Sequence, residues 1–154
     1  MIINVARLGE DVERFQGEEP PSILELGEES DIRADKPVVY DLTACLAGGS
    51  VVVRGTVKTE ISFACVRCAE YTPILVCDPS FLRAIEVTGE DNESVDLTDD
   101  IRESIILAFP TKPLCNTRCK GLCAGCGANL NREKCRCPPR TADDRWSTLD
   151  GMKF

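Results

Sequence analysis

The chain has 154 residues, 43% of them hydrophobic and 29% charged, which suits one globular domain with a sizeable core, and no apolar run approaches the ~20 residues of a membrane-spanning helix. With no histidine, it lacks histidine general bases, Ser-His and Cys-His nucleophile pairs and mixed Cys/His metal sites, so any metal must be held largely or wholly by thiolates. A net charge of -8 argues against a uniformly basic nucleic-acid binder.

The opening MIINVARLGEDVERFQ has neither the basic start nor the apolar run of a secretory signal peptide, which favours a reducing cytosol. Residues 1–6 read as a short strand, and residues 8–19 are mostly polar up to the break at Pro20-Pro21. Residues 22–26 read as a second short strand and residues 27–36 as an acidic loop. Val38, Tyr40, Leu42 and Ala44 then alternate with Val39, Asp41, Thr43 and Cys45, as in a half-buried strand, and Gly48-Gly49 supplies a hairpin turn.

Residues 50–57 are rich in β-branched side chains, with Gly55 marking a bulge or a close backbone approach. The extended pattern continues to residue 64 with Ile61 and Phe63 on one face, and delivers Cys65-Val66-Arg67-Cys68 at its end. Strand patterns resume at residues 74–76 and 81–87. Cys45 and Cys77, alone within such patterns, read as small buried hydrophobes. A helix is predicted near residues 98–109, with Thr98 as N-cap, Asp99 and Asp100 in the first turn, an apolar face of Ile101, Ile105 and Ala108, and Pro110 as its stop. Capping and solvation account for Asp96, Asp99 and Glu103 more simply than catalysis does. A last helical turn is predicted over residues 141–149, anchored by Trp146 and Leu149.

Between these elements lies LCNTRCKGLCAGCGANLNREKCRCPP, with Cys115, Cys119, Cys123, Cys126, Cys135 and Cys137. Cys123-x-x-Cys126-Gly127 has the form of a metal knuckle: two thiolates reach one tetrahedral ion from a tight turn, and the glycine lets the chain swing away. Asn129-Leu130-Asn131 makes a polar turn back toward Cys135 and Cys137. Disulfides would suit a secreted chain better. Cys119-x3-Cys123-x2-Cys126 has the iron-ligand spacing of radical-SAM enzymes, but only 28 residues follow Cys126, too few for the barrel around such a cofactor. Redox chemistry at a Cys-x-x-Cys needs a thioredoxin-like strand and helix that this Gly- and Asn-rich stretch does not provide.

Structural zinc is therefore expected. Cys123 and Cys126 form one half of its site, Cys135 or Cys137 the other, and Cys115 or Cys119 completes it. Cys65 and Cys68 are expected to be a reduced pair near the sheet edge; the alternative is a second four-thiolate site with two ligands from the later run. The architecture expected is α+β: an antiparallel, open or barrel-like sheet with one or two helices over residues 1–112, a zinc module over 113–140, and a tail over 141–154.

Charge is polarised along the chain. Residues 115–140 hold six bases and one acid, a formal +5, while residues 86–103 hold eight acids and one base, a formal -7. A four-thiolate zinc site of charge about -2 leaves the module near +3. Solvated surfaces are the plain alternative to a binding role.

The order of a sheet-rich first part, Cys65-Val66-Arg67-Cys68, Asp96-Leu97 leading into Arg102-Glu103-Ser104-Ile105-Ile106-Leu107-Ala108-Phe109-Pro110, and Cys119-Lys120-Gly121-Leu122-Cys123-x-x-Cys126-Gly127-x-Asn129-Leu130-Asn131 resembles the YceD-type large-ribosomal-RNA accumulation proteins of bacteria and plastids. The resemblance spans residues 35–140. It departs from the family at Ala69, where the family usually has leucine after the second cysteine. It implies a ribosome-biogenesis role with no catalytic reaction, no small-molecule substrate and no membrane, in the cytoplasm or a plastid stroma. The implied partner is large-subunit ribosomal RNA or a large-subunit ribosomal protein. Family members without the later cysteines make the zinc module an elaboration of the shared sheet. Arg118, Lys120, Arg132, Lys134 and Arg136, set between zinc ligands on a preorganised loop, are expected to contact RNA phosphate. Few aromatics lie nearby, so backbone contact rather than base stacking is expected. A zinc-ribbon adaptor that binds only protein is the alternative.

Overall fold

Gly48 and Gly49 adopt φ values of +58° and +80°, a left-handed turn that is inexpensive only without a Cβ, and the central hairpin forms around them. The computed structural model describes residues 1–27, 31–87 and 94–138. Its elements are β1 (Ile2–Asn4), β2 (Glu13–Glu19), β3 (Ile32–Arg33), β4 (Val38–Ala47), β5 (Ser50–Ala64), β6 (Tyr71–Glu86), β7 (Ser94–Asp96) and α1 (Thr98–Leu107). The predicted tail turn with Trp146 and Leu149, and Glu90, Asp91 and Glu93 of the acidic segment, lie outside the described residues.

All the strand pairings among the described residues are antiparallel. β4 pairs with β5 on one side and β2 on the other, β6 runs along nearly all of β5, and β3 meets β5 at Phe63 and Ser62. β1 and β7 form a separate two-stranded ribbon. The described strands make open sheets, and the barrel-like form is not adopted. β6 carries Pro73 and Pro79, which have no N–H to offer a further strand.

Alternation dictates the core. Val38, Leu42 and Ala44 of β4, Val51, Val53, Val57, Ile61 and Phe63 of β5, and Ile101 and Ile105 of α1 are all buried. Each large apolar side chain so buried contributes about 1.5–3 kcal/mol. At Gly55 the bulge and the close approach expected from the sequence coincide: a Cβ would run into the Asp41 carbonyl and the Leu42 Cα, and the register slips between Gly55 and Val57. Gly55 faces Phe81 and Val57 faces Asp78, so Pro79 and Ser80 stand opposite Thr56 alone. The inward positions of β6 consequently change from Ile74 and Val76 before the slip to Phe81 and Ile85 after it.

That geometry corrects the reading of the lone cysteines. Cys77 lies on the outward face of β6 and is exposed, and Cys45 on the outer face of β4 is half-buried. Residues 21–24 form a 3-10 turn, not a strand, because Pro20 and Pro21 fix φ where a strand would begin. The polar stretch before them contains β2, an edge strand held by a bidentate Arg14–Asp41 pair at 2.8 and 2.6 Å.

The predicted helix is present, but its cap is one turn-residue earlier than expected. Leu97 occupies the cap position, and the Asp96 carboxylate accepts from both the Thr98 N–H (2.9 Å) and hydroxyl (2.6 Å). Arg83 of β6 donates to Asp100 and Glu103, and the Ser104 hydroxyl donates to Asp78 at 2.7 Å, holding that carboxyl below its usual range. Phe109, beyond the helix end, packs edge-on against Phe63 at 5.2 Å. The chain leaving α1 is thereby brought beside the far end of β5, where Cys65 follows.

Candidate metal centres

Eight of the ten cysteines gather into two groups of four, Cys65, Cys68, Cys115 and Cys119 in an inner group and Cys123, Cys126, Cys135 and Cys137 in an outer one. Within each group all the sulfurs lie within 4.8 Å of one another. Cys115 and Cys119 are therefore placed with the strand-end pair and not with Cys123 and Cys126. The described contacts between sulfurs run from 3.2 Å (Cys123–Cys135) to 3.9 Å (Cys65–Cys119). These separations are well beyond a disulfide bond of ~2.05 Å. They bracket the ~3.8 Å edge of a tetrahedron with metal–sulfur bonds of ~2.3 Å.

Each group is built on the same backbone device. In the inner one the Ala69 N–H donates to the Cys65 carbonyl (2.8 Å) and the Cys65 N–H to the Glu70 carbonyl (2.9 Å). In the outer one the Gly127 N–H donates to the Cys123 carbonyl (2.9 Å) and the Cys123 N–H to the Ala128 carbonyl (2.8 Å). The residue after the second cysteine turns left-handed in both, at φ +58° for Ala69 and +74° for Gly127. The second half of the inner site is set by Asn116, whose carbonyl accepts the Cys119 N–H and whose side chain accepts the Arg118 N–H. The Val66 N–H donates to the Pro113 carbonyl, joining the strand-end knuckle to the segment after the helix.

Burial separates the two groups. Cys65, Cys68 and Cys119 are buried and pack with Leu114, whereas Cys126 and Cys137 are exposed. Electrostatics does not separate them. Backbone N–H groups aimed at the sulfur, that of Cys115 foremost, bring the Cys65 thiol down to about 6, and those of Cys126 and Gly125 do the same for Cys123, also to about 6. Hydrogen bonding to Cys119 pushes Cys115 up to about 12, and bonding to Cys135 pushes Cys137 up to about 12. Thiols this close cannot all ionise unless a cation joins them. The donor set fits one such ion per group, because sulfurs within 4.8 Å enclose a single metal and leave no room for a multi-iron core.

Two residues that spacing alone did not single out as parts of the inner site support it. The Arg67 guanidinium donates to the Cys119 carbonyl at 3.0 Å, while its own carbonyl accepts the Leu122 N–H. The Asn131 side chain donates to the Cys119 sulfur at 3.2 Å and accepts the Lys120 N–H at 2.8 Å. The polar Asn-x-Asn turn was the visible signal for the second. Of the five cations expected to meet phosphate, all are exposed; Arg132 is ion-paired with Glu70 at 2.5 Å, and Arg118, Lys120, Lys134 and Arg136 have no ion-pair partner among the described residues.

A family model described as large ribosomal RNA subunit accumulation protein YceD matches residues 83–153, a stretch with α1 and six of the eight clustered cysteines. The large ribosomal RNA subunit accumulation protein YCED homolog 1, chloroplastic, of Zea mays is 28% identical over 145 residues, covering 68% of this chain and 50% of that protein. Its counterpart in Arabidopsis thaliana is 33% identical over 61 residues, covering 40% and 19%. An uncharacterized protein of Mycobacterium leprae is 32% identical over 146 residues, covering 86% and 67%. The matched stretches thus take in half or less of the plant proteins. No solved structure matches the chain.

Proposed function

Because the chain belongs to the YceD family of large ribosomal RNA subunit accumulation proteins, we propose that it is a non-enzymatic ribosome-biogenesis factor. In this reading it supports accumulation of large-subunit ribosomal RNA by binding that RNA or a ribosomal protein on it, in the cytoplasm or a plastid stroma, with a structural zinc ion in each sulfur group. The observation that carries it is the pair of four-sulfur groups flanking exposed Arg118, Lys120, Lys134 and Arg136. Four thiolates per ion leave no open coordination position, which favours a structural over a catalytic metal. Residues 113–140, in this view, act as one basic presenting unit whose zinc ions hold the chain in place of a core.

Arg132, engaged by Glu70, serves as a brace in this scheme, and the other four cations make the phosphate contacts. Four such contacts give a salt slope of ~3 to 4 in log units. Replacing Arg118, Lys120, Lys134 and Arg136 together by Gln is expected to leave the zinc content at two per chain and to weaken association with large-subunit particles at low salt. Association that persists unchanged would reject RNA contact through this surface and favour the adaptor that binds only protein. Elemental analysis of protein purified under reducing conditions tests the metal; no zinc would reject that part.

A further inference from the structure

The outer group encloses, between Cys126 and Cys135, a loop with work to do elsewhere. Within that loop the Asn129 side chain accepts from both the Asn131 N–H and the Asn131 side chain, each at 2.9 Å, and the Asn129 carbonyl accepts the N–H groups of Arg132 and Glu133. Asn131 is thereby locked in one orientation. Locked so, it reaches out of the loop and donates to the sulfur of Cys119, a member of the other group, while accepting the N–H of the next residue, Lys120. Two backbone contacts hold the same junction: Leu130 N–H donates to the Gly121 carbonyl at 2.9 Å, and Leu122 pairs with Asn129. The backbone at Gly121, at φ +75°, favours glycine there, and a Cβ would crowd the Arg67 carbonyl at 3.0 Å.

We infer that the two metal sites are thermodynamically linked and that Asn131 is the linking residue: metal in the outer site fixes the loop that sets the Asn131 amide on the inner site's Cys119 sulfur. This rests on the metal-binding part of the function proposed above and is independent of RNA. An N–H donated to a metal-bound thiolate draws off part of its negative charge and fixes its direction. Outer-shell partners of this kind are typically worth about 10–100-fold in metal affinity. With the outer ion gone, the span from Cys126 to Cys135 has no ligand bonds at its ends, and the amide is held only by hydrogen bonds within the loop and at its junction with residues 120–122. Linkage is reciprocal, so the inner ion strengthens the outer site by the same factor.

Asn131→Asp is the discriminating variant. It keeps a carbonyl-type oxygen for the Lys120 N–H and nearly the same shape, and it replaces the amide that donates to the Cys119 sulfur and to the Asn129 side chain by a negative charge. Full-length protein is titrated with cobalt(II), and zinc affinities of the two sites are read by competition with a chelator; Cys135→Ser with Cys137→Ser supplies the protein lacking the outer site. The expected results are an inner-site affinity about ten-fold weaker in Asn131→Asp, with altered sulfur-to-cobalt charge-transfer bands, and a comparable loss when the outer site is removed. Combining the two changes should add little to either alone. Asn131→Gln, which retains the donor on a longer arm, should recover part of the loss. An inner site indifferent to removal of the outer one overturns the linkage. An inner-site spectrum unchanged in Asn131→Asp would mean that the amide does not act on the Cys119 sulfur, and would assign Asn131 a purely structural role in the loop.

Discussion

Cys65, Cys68 and Cys119 of the inner group are 3%, 4% and 6% exposed, whereas Cys126 and Cys137 of the outer group stand open to solvent, although both groups repeat the same knuckle bonds and the same left-handed turn. The difference lies in what the rest of the chain supplies. The inner group closes between the end of β5 and the segment after α1, so its ligands are positioned by a hydrophobic core on one side and by Pro113 and Asn116 on the other. The outer group takes all its ligands from fifteen consecutive residues, and the described residues around it supply no buried apolar side chain. A metal in the inner site ties two parts of the fold together, while one in the outer site organises a loop.

The largest expected effect comes from breaking one group at a time. Structural zinc in small modules is worth ~10 kcal/mol or more, comparable to the whole net stability of a domain at ~5–15 kcal/mol. Cys65→Ser with Cys68→Ser should lower zinc to one or fewer per chain and free the whole segment after α1, visible as lost amide protection around residues 113–122. Cys135→Ser with Cys137→Ser should remove one zinc and leave protection of β4 and β5 unchanged. If the outer variant disturbed the sheet as much as the inner one, the proposed division of labour would fail.

Chelation sharpens the same contrast without mutation. Exposed sulfurs give a competing ligand a path to the ion, so zinc should leave in two phases, the outer first. Mass spectrometry of alkylated thiols would assign them. Early labelling of Cys126 and Cys137 is the expected outcome, and early labelling of Cys65 and Cys68 would contradict it.

How the sulfurs divide was the least legible feature of the sequence. Spacing marked Cys123-x-x-Cys126 as a knuckle, but six cysteines within 23 residues can be partitioned in many ways. What decides is tertiary: α1 returns the chain to the end of β5, which spacing does not encode. The elements with clean periodicity, β4, β5 and α1, were readable because one face of each is apolar and buried. β2 was not, since an edge strand with Arg14, Gln16 and Glu18 on its exposed side shows no such contrast. Cys77 was misread because β6 carries apolar residues on both faces, with Leu75 and Leu82 exposed opposite Val76 and Phe81. The Asn-x-Asn turn was visible, but nothing local said that its second amide serves the other group.

Protonation should fail to separate the groups. In the metal-free protein Cys65 and Cys123 sit at about 6, below the ordinary thiol value of 9.0, so their contribution to stability is present above that value and is lost as pH falls through about 6. Cys115 and Cys137 at about 12 act oppositely, their contribution being present below 9.0 and lost as pH rises through about 12. Zinc must displace the protons these raised thiols hold, so loading releases acid and apparent affinity rises from pH 6 to 8 in both groups alike. Proton release measured in weak buffer checks this. A pH dependence confined to one group would mean that solvent access, and not sulfur crowding, sets the thiol behaviour.

The smallest effect tests the left-handed position of the two knuckles, held by Ala69 in one and Gly127 in the other. Ala69 and Gly127 occupy equivalent left-handed positions, and for a residue with a Cβ that conformation costs roughly 1–2 kcal/mol. Glycine pays back part of any relief through the larger freedom it loses on folding, about 0.5–1 kcal/mol. Ala69→Gly should therefore stabilise the zinc-loaded protein by at most about 1 kcal/mol, and Gly127→Ala should destabilise it by a similar amount. A Cβ at Gly127 meets nothing within 4 Å, so backbone conformation is the sole term there. The two changes are best compared by denaturant unfolding with zinc saturating, because metal affinity then enters both measurements equally. If Ala69→Gly lowered stability, the methyl group of Ala69 would have to contribute packing against the inner site that outweighs its strain, and the two knuckles would no longer be the same device in different surroundings.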